Sequence, residues 1–388
     1  MLWWRLPLPA LPLPGRKADV SDSPTQQLAS LGVSIWLDDL SKDRLTSGSL
    51  AELIAHHNVV GVTSNPTIFA GSVAGSDSYA PDIQAMKREG VTAEEAVFRI
   101  MISDVQGACD LLRPLYDKTS GVDGRVSLEV SPLLARDTEE TVAQALELWT
   151  AVGRENLMIK IPATREGLPA ITRVLAEGIS VNVTLIFSIE RYREVIDAYF
   201  AGIELALKAG HDISRIHSVA SFFVSRVDSA VDATLDALGS PEAKALRSSA
   251  AVANARLAYQ LFQERHSSES VATLVSAGMN AQRPLWASTG VKDPALPPAL
   301  YVTELAVKQT VNTMPEKTLR AVADFAGPIA DRVTGDYAQA AKVMAGLAVL
   351  GISIDTVTDE LERDGVAKFV QSWHELLDTV QSAMDQAE

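Results

Sequence analysis

Short apolar runs alternate with longer amphipathic stretches along almost the whole chain. Runs of this length, closed by Gly, Pro or Asn, predict strands buried on both faces. They fall at 32–39, 58–65, 123–130, 156–164, 178–184, 215–223, 284–288 and 309–312. Between them the hydrophobic spacing follows a helical period, at 50–56, 79–89, 93–116, 138–152, 167–177, 188–209, 227–238 and 241–265. The Gly/Ser-rich stretch 70–78 reads as a mobile loop, and 316–388 reads as helices. Eight strand–helix alternations without a paired hairpin predict a parallel sheet, and eight units predict a closed (β/α)8 TIM barrel.

The strand at 156–164 carries one polar intruder. Met158 and Lys160 share a face, and Leu157, Ile159 and Ile161 take the other. A buried ammonium needs a carboxylate partner or a lowered pKa, and a lysine of the second kind is an amine nucleophile. Taken alone, the stretch favours a lysine that snorkels to water or pairs structurally. The other strands shift that balance. By alternation, polar side chains gather at the carboxyl ends: Asp38, Asn65, Glu129, Asn182 with Thr184, Ser221 and Ser288. Chemistry in such barrels sits at that end, and core packing does not explain seven strands ending alike. Asn65 before Pro66 is open to a second reading as turn chemistry alone. Val181, Val183 and Leu185 are expected to pack outward.

Composition narrows the class. The chain has 388 residues and a formal net charge of −15, which argues against a nucleic-acid surface. One cysteine, Cys109, excludes an internal disulfide framework and a cysteine-rich metal site; its place in a helical pattern predicts a buried small hydrophobe. His56 and His57 have no ligand spacing and read as surface. The apolar stretch 341–354 is too short to span a bilayer. Residues 1–19 are rich in Leu and Pro and differ from the rest. They read either as a polyproline-type arm or as the product of a start placed too early, with Val20 the favoured beginning, which leaves 20–388 as one barrel domain.

Two stretches carry a specific resemblance. GVTSNPTIF at 61–69 and LMIKIPATREGL at 157–168 closely resemble the two signatures of the transaldolase family in its actinobacterial form. SIWLDDLS, RVSLEV, ISVNVTLIFS, HSVASFFVSR and RPLWASTG are similar to further family blocks, in the family's order. The resemblance spans roughly residues 28–385. It implies Lys160 as the Schiff-base nucleophile, with Glu129 and Asp38 moving protons. It further implies Asn65, Asn182 and Thr184 around a dihydroxyacetone unit, and Ser221, Phe223, Arg226 and Ser288 toward a phosphate. The implied reaction moves dihydroxyacetone from sedoheptulose 7-phosphate to glyceraldehyde 3-phosphate, in the cytoplasm, through sugar-phosphate partners, without metal or organic cofactor. The implied assembly is a monomer or homodimer, with no membrane partner. The helix at 361–384, with Trp373, Leu376 and Leu377 on its apolar side, resembles one that covers the active-site mouth. One departure stands out: a second phosphate-binding arginine of many family members falls here at Gly290, with Lys292 or Arg283 as substitutes. A Schiff-base aldolase releasing free dihydroxyacetone, and an inactive sugar-phosphate-binding barrel, are the rival readings.

Overall fold

The computed structural model describes residues 23–387, so the 1–19 arm lies outside the described residues. Its centre is a closed barrel of eight parallel strands in chain order. The strands are β1 (Val33–Asp38), β2 (Val59–Thr63), β3 (Arg125–Glu129), β4 (Leu157–Pro162), β5 (Val181–Ile186), β6 (Ser218–Phe223), β7 (Arg283–Ala287) and β8 (Thr310–Met314). β8 returns to pair with β1 and closes the ring. Every residue of β3, β4, β5, β6 and β8 is buried, as the unbroken apolar runs require of strands with a core on one face and helices on the other.

Register is what places the chemistry. Glu129 pairs with Lys160, Lys160 with Asn182, and Pro162 with Thr184, so three adjacent strands present polar side chains at neighbouring heights. Asp38 pairs with Thr63 one strand away. At β2 a close approach fixes the residue type: a Cβ on Gly61 would stand 2.6 Å from the buried Trp36 ring, which sits across the strand pair.

The structure departs from the sequence reading in several places. The expected loop at 70–78 is largely helix, Pro66–Ala74 followed by a short turn of 3-10 helix at Asp77–Tyr79. Gly71 and the serines are weak helix formers, but Phe69 and Val73 lie one turn apart and both are buried, so packing overrides propensity. The single helix expected at 241–265 is two, Pro241–Ala245 and Ala250–His266. Ser248 breaks it in the left-handed region (φ 54°), held by its N–H and hydroxyl on Asp232 at 2.8 and 2.9 Å. The tail is three helices, Glu316–Ala323, Tyr337–Val349 and Ile354–Gln386, with non-helical chain at 324–336. Leu185 leaves the outward face it was expected to share with Val183. β5 advances three residues, from Val183 to Ile186, while β6 advances two, from Ala220 to Phe222.

The last helix, Ile354–Gln386, packs across the carboxyl end of the barrel, with Phe369, Trp373 and Leu376 buried beneath it. Thr67 donates to Ser372 Oγ at 2.7 Å, and the Phe98 and Trp373 rings lie 5.2 Å apart. Cys109 is buried and His56 is exposed, as expected. Among the described residues no single helix is long and apolar enough to cross a membrane.

Candidate active site

Lys160 lies near the carboxyl end of β4 and is only 4% exposed. Its ammonium donates to Glu129 Oε2 at 3.0 Å and to the Ser64 carbonyl at 3.2 Å. Glu129 is 2% exposed, so the pair sits in a dry part of the barrel. Burial pushes the Glu129 carboxyl above its ordinary range, against the pull of Lys160. The Phe369 ring of the C-terminal helix lies 5.7 Å from the Lys160 nitrogen, within cation–π reach. The nitrogen opens onto a cavity of about 180 Å³ enclosed between the strand ends and that helix.

Asp38 is on the cavity wall at the end of β1. Burial raises its carboxyl above the usual aspartate range, while the Lys160 charge and the Thr63 hydroxyl, donating to Oδ1 at 2.8 Å, work the other way. Thr63 shares a 2.6 Å contact with Thr313. An ionised Asp38 only accepts, so the Thr63 proton goes to it and Thr313 donates to Thr63.

Asn65 does two things at once. It is the N-cap of the Pro66–Ala74 helix, its Oδ1 accepting from the Ile68 N–H at 3.0 Å, and it lines the cavity. The turn-chemistry reading and the site reading are therefore both met, because capping uses only the oxygen and leaves the amide nitrogen. Ser221 donates to Asn182 Oδ1 at 2.8 Å, and Asn182 Nδ2 donates to Ser127 Oγ at 3.0 Å. Asn182 thus stands behind the wall, as Glu129 stands behind Lys160, while Ser221 reaches the cavity. The Thr184 hydroxyl also lines the cavity and is buried without a partner.

Phe223, Arg226 and Ser288 form the other end of the cavity. Arg226 is the second residue of the Ser225–Leu238 helix, whose N-terminus therefore opens on the same side, with the Ser225 N–H donating to the Ser288 carbonyl at 3.0 Å. Its guanidinium lies 5.2 Å from the Phe223 ring, and one of its nitrogens is buried without a partner. Burial lowers its pKa, partly offset by Asp364 and Asp38. Ser288 holds a left-handed backbone (φ 55°) and its hydroxyl lies 3.0 Å from that of Ser225.

The two substitutes for the missing arginine separate cleanly. Lys292 lines the cavity beside Gly290. Arg283 is at the first residue of β7, at the opposite end of the barrel, where it donates to Ser34 Oγ at 2.7 Å and to the Val122 carbonyl at 2.8 Å. Sequence reasoning also missed Thr63, Thr313, Pro315 and Phe369, all on the cavity wall. Thr63 was visible in the 61–69 signature. Thr313 was hidden because β8 runs two residues further than expected, to Met314.

The model of the family described as transaldolase/fructose-6-phosphate aldolase matches residues 35–380. The chain belongs to that family. It is 60% identical over 358 residues to a transaldolase of Thermobifida fusca, covering 92% of this chain and 97% of that protein. It is 56% identical to a transaldolase of Kocuria rhizophila, over 94% of this chain and 99% of the other, and 54% identical to one from a Parafrankia species, over 94% and 99%.

Proposed function

We propose that the protein is a transaldolase that transfers a dihydroxyacetone unit through a Schiff base on Lys160. The observation that carries the reading is a buried lysine hydrogen-bonded to a buried glutamate, facing a small cavity with a second carboxylate on its wall. Burial raises the Glu129 carboxyl, so Glu129 can take the Lys160 proton across the 3.0 Å bond. The freed amine attacks the C2 carbonyl of sedoheptulose 7-phosphate. Protonated Glu129 returns its proton, through a water held by Thr184, to the carbinolamine hydroxyl, which leaves as water. The resulting iminium draws in the C3–C4 electron pair as Asp38 takes the proton of the C4 hydroxyl. Erythrose 4-phosphate departs and an enamine remains. Glyceraldehyde 3-phosphate then enters, the enamine carbon attacks its aldehyde, Asp38 returns the proton, and hydrolysis releases fructose 6-phosphate.

Asn65 and Ser221 hold the dihydroxyacetone hydroxyls, with Asn182 aligning Ser221. Arg226, Ser288 and Lys292 bind the phosphate, with Phe223 packed under the guanidinium. Lys292 is a point charge where a second arginine would give a fork, so Arg226 supplies most of the geometric selection. On this reading the partners are sugar phosphates, the compartment is the cytoplasm, and the assembly is a monomer or homodimer.

Acceptor dependence tests the reaction class. Fructose 6-phosphate with erythrose 4-phosphate should give sedoheptulose 7-phosphate and glyceraldehyde 3-phosphate, with no free dihydroxyacetone when the acceptor is omitted. Free dihydroxyacetone without acceptor would move the assignment to an aldolase. Binding without any product would move it to an inactive barrel.

A further inference from the structure

Leu185 follows Thr184 directly and has a left-handed backbone (φ 60°), which a bulky side chain adopts only when its surroundings force it. It is the extra residue of the β5 bulge, and it is buried. Above it lies Gly365 of the C-terminal helix. A Cβ there would stand 3.0 Å from Leu185 Cδ2 and 3.6 Å from the Phe187 ring. The Phe187 ring lies 5.0 Å from that of Phe223 on the cavity wall. Phe369, one helical turn beyond Gly365, is itself on that wall beside Lys160. The same helix face therefore rests on the strained residue and closes the cavity.

We infer that Gly365 is a positioning residue for Thr184, acting through the left-handed Leu185. The bulge lets Thr184 keep its place on the wall while Leu185 turns toward the helix, and a Cβ at 365, 3.0 Å from Leu185 Cδ2, would press against that turn. Seating the C-terminal helix thereby fixes Thr184, whose hydroxyl is, among the described residues of the cavity wall, buried without a protein partner and on the catalytic reading above holds the dehydration water. Gly→Ala within a helix is ordinarily stabilising. A glycine kept for chain flexibility alone would let Gly365→Ala raise stability without touching the chemistry.

The experiment is borohydride trapping of the Lys160 adduct with fructose 6-phosphate, followed in time, beside steady-state kinetics, for Gly365→Ala, Gly365→Val, Gly365→Val with Leu185→Ala, and Thr184→Val. A shift of about 1 Å in a catalytic group costs up to roughly 10²-fold. Gly365→Ala should slow both adduct formation and kcat about threefold, and Gly365→Val about 30-fold, with KM within about twofold of the parent. Leu185→Ala should restore most of the loss in the double variant, which also carries the test with Gly365→Ala if Gly365→Val does not fold. An unchanged trapping rate in the Gly365 variants, or no recovery with Leu185→Ala, overturns the inference. A Thr184→Val variant that traps at the parent rate also overturns it, whereas failure of the parent protein to trap at Lys160 sinks the catalytic reading itself.

Discussion

The two ends of the barrel use the same kinds of residue to opposite effect. At the base, Arg125 is 1% exposed and is held by the Gly121 and Glu155 carbonyls and Ser180 Oγ. Arg283 is tied to Ser34, Val122 and Asp123 beside it. His217 is buried at the same end, and burial, reinforced by both arginines, pushes its pKa down to about 2. At the mouth, Lys160 and Glu129 are buried and Asp38 and Arg226 half-buried, but Lys160, Asp38 and Arg226 converge on one cavity. The base has the larger cleft, about 460 Å³ against about 180 Å³. Neither volume nor buried charge therefore distinguishes a catalytic centre. The difference lies in where spare bonding capacity sits: at the base one Arg125 nitrogen is buried without a partner but Arg125 does not line the cleft, while at the mouth Thr184 and Arg226, each with an unpartnered buried polar atom, both line the cavity.

Mutation should separate the ends. At the mouth, Glu129→Gln keeps a hydrogen bond for Lys160 but cannot take its proton, and Asp38→Ala removes the base. Each should lower kcat by roughly 10²- to 10⁴-fold in the coupled assay. Arg226→Ala should raise KM for phosphorylated substrates about 10²-fold and Lys292→Ala about tenfold, in line with charge-assisted hydrogen bonds. Equal values for unphosphorylated dihydroxyacetone donors would show that the phosphate is what they read; an unchanged KM removes the residue from the site. Arg283→Ala should leave KM untouched and cost about 1–3 kcal/mol in denaturant unfolding, because it strands Ser34, Asp123 and a carbonyl. A KM effect there would erase the contrast.

Two smaller effects involve pH. Thr63 donates to Asp38 and holds its carboxyl below where burial alone would place it. Thr63→Val should move the acidic limb of the kcat profile to higher pH, since catalysis needs Asp38 ionised and the Thr63 hydrogen bond lowers its pKa. At the base, His217 stays neutral in the folded protein, while the unfolded chain takes up a proton near the ordinary histidine pKa. Stability from His217 is therefore present above about pH 6.5 and falls as pH drops, by up to about 1.4 kcal/mol per unit. Thermal unfolding between pH 7 and 5 should show a shallower decline for His217→Gln than for the parent.

Alternation along short apolar runs was enough to read the barrel and to bring Asp38, Lys160, Thr184 and Ser221 to one end, because a strand buried on both faces leaves few choices for a polar side chain. What it did not resolve depends on where strands start and stop. Arg283 and Lys292 are nine positions apart in sequence, yet β7, five residues at about 3.3 Å each, carries the chain from base to mouth between them. Thr313 was lost to a strand end placed two residues short. Leu185 was lost because alternation contains no signal for a left-handed residue. The Pro66–Ala74 helix was lost because local propensity argues against it and only its docking beneath the C-terminal helix supplies the difference.

The most direct test is borohydride reduction in the presence of fructose 6-phosphate, followed by peptide mass mapping of the parent protein and of Lys160→Ala. The structure predicts one reduced dihydroxyacetone adduct, on Lys160, and none in the variant. An adduct on another lysine, or an unmodified Lys160 in folded and substrate-saturated protein, would contradict the assignment of the nucleophile.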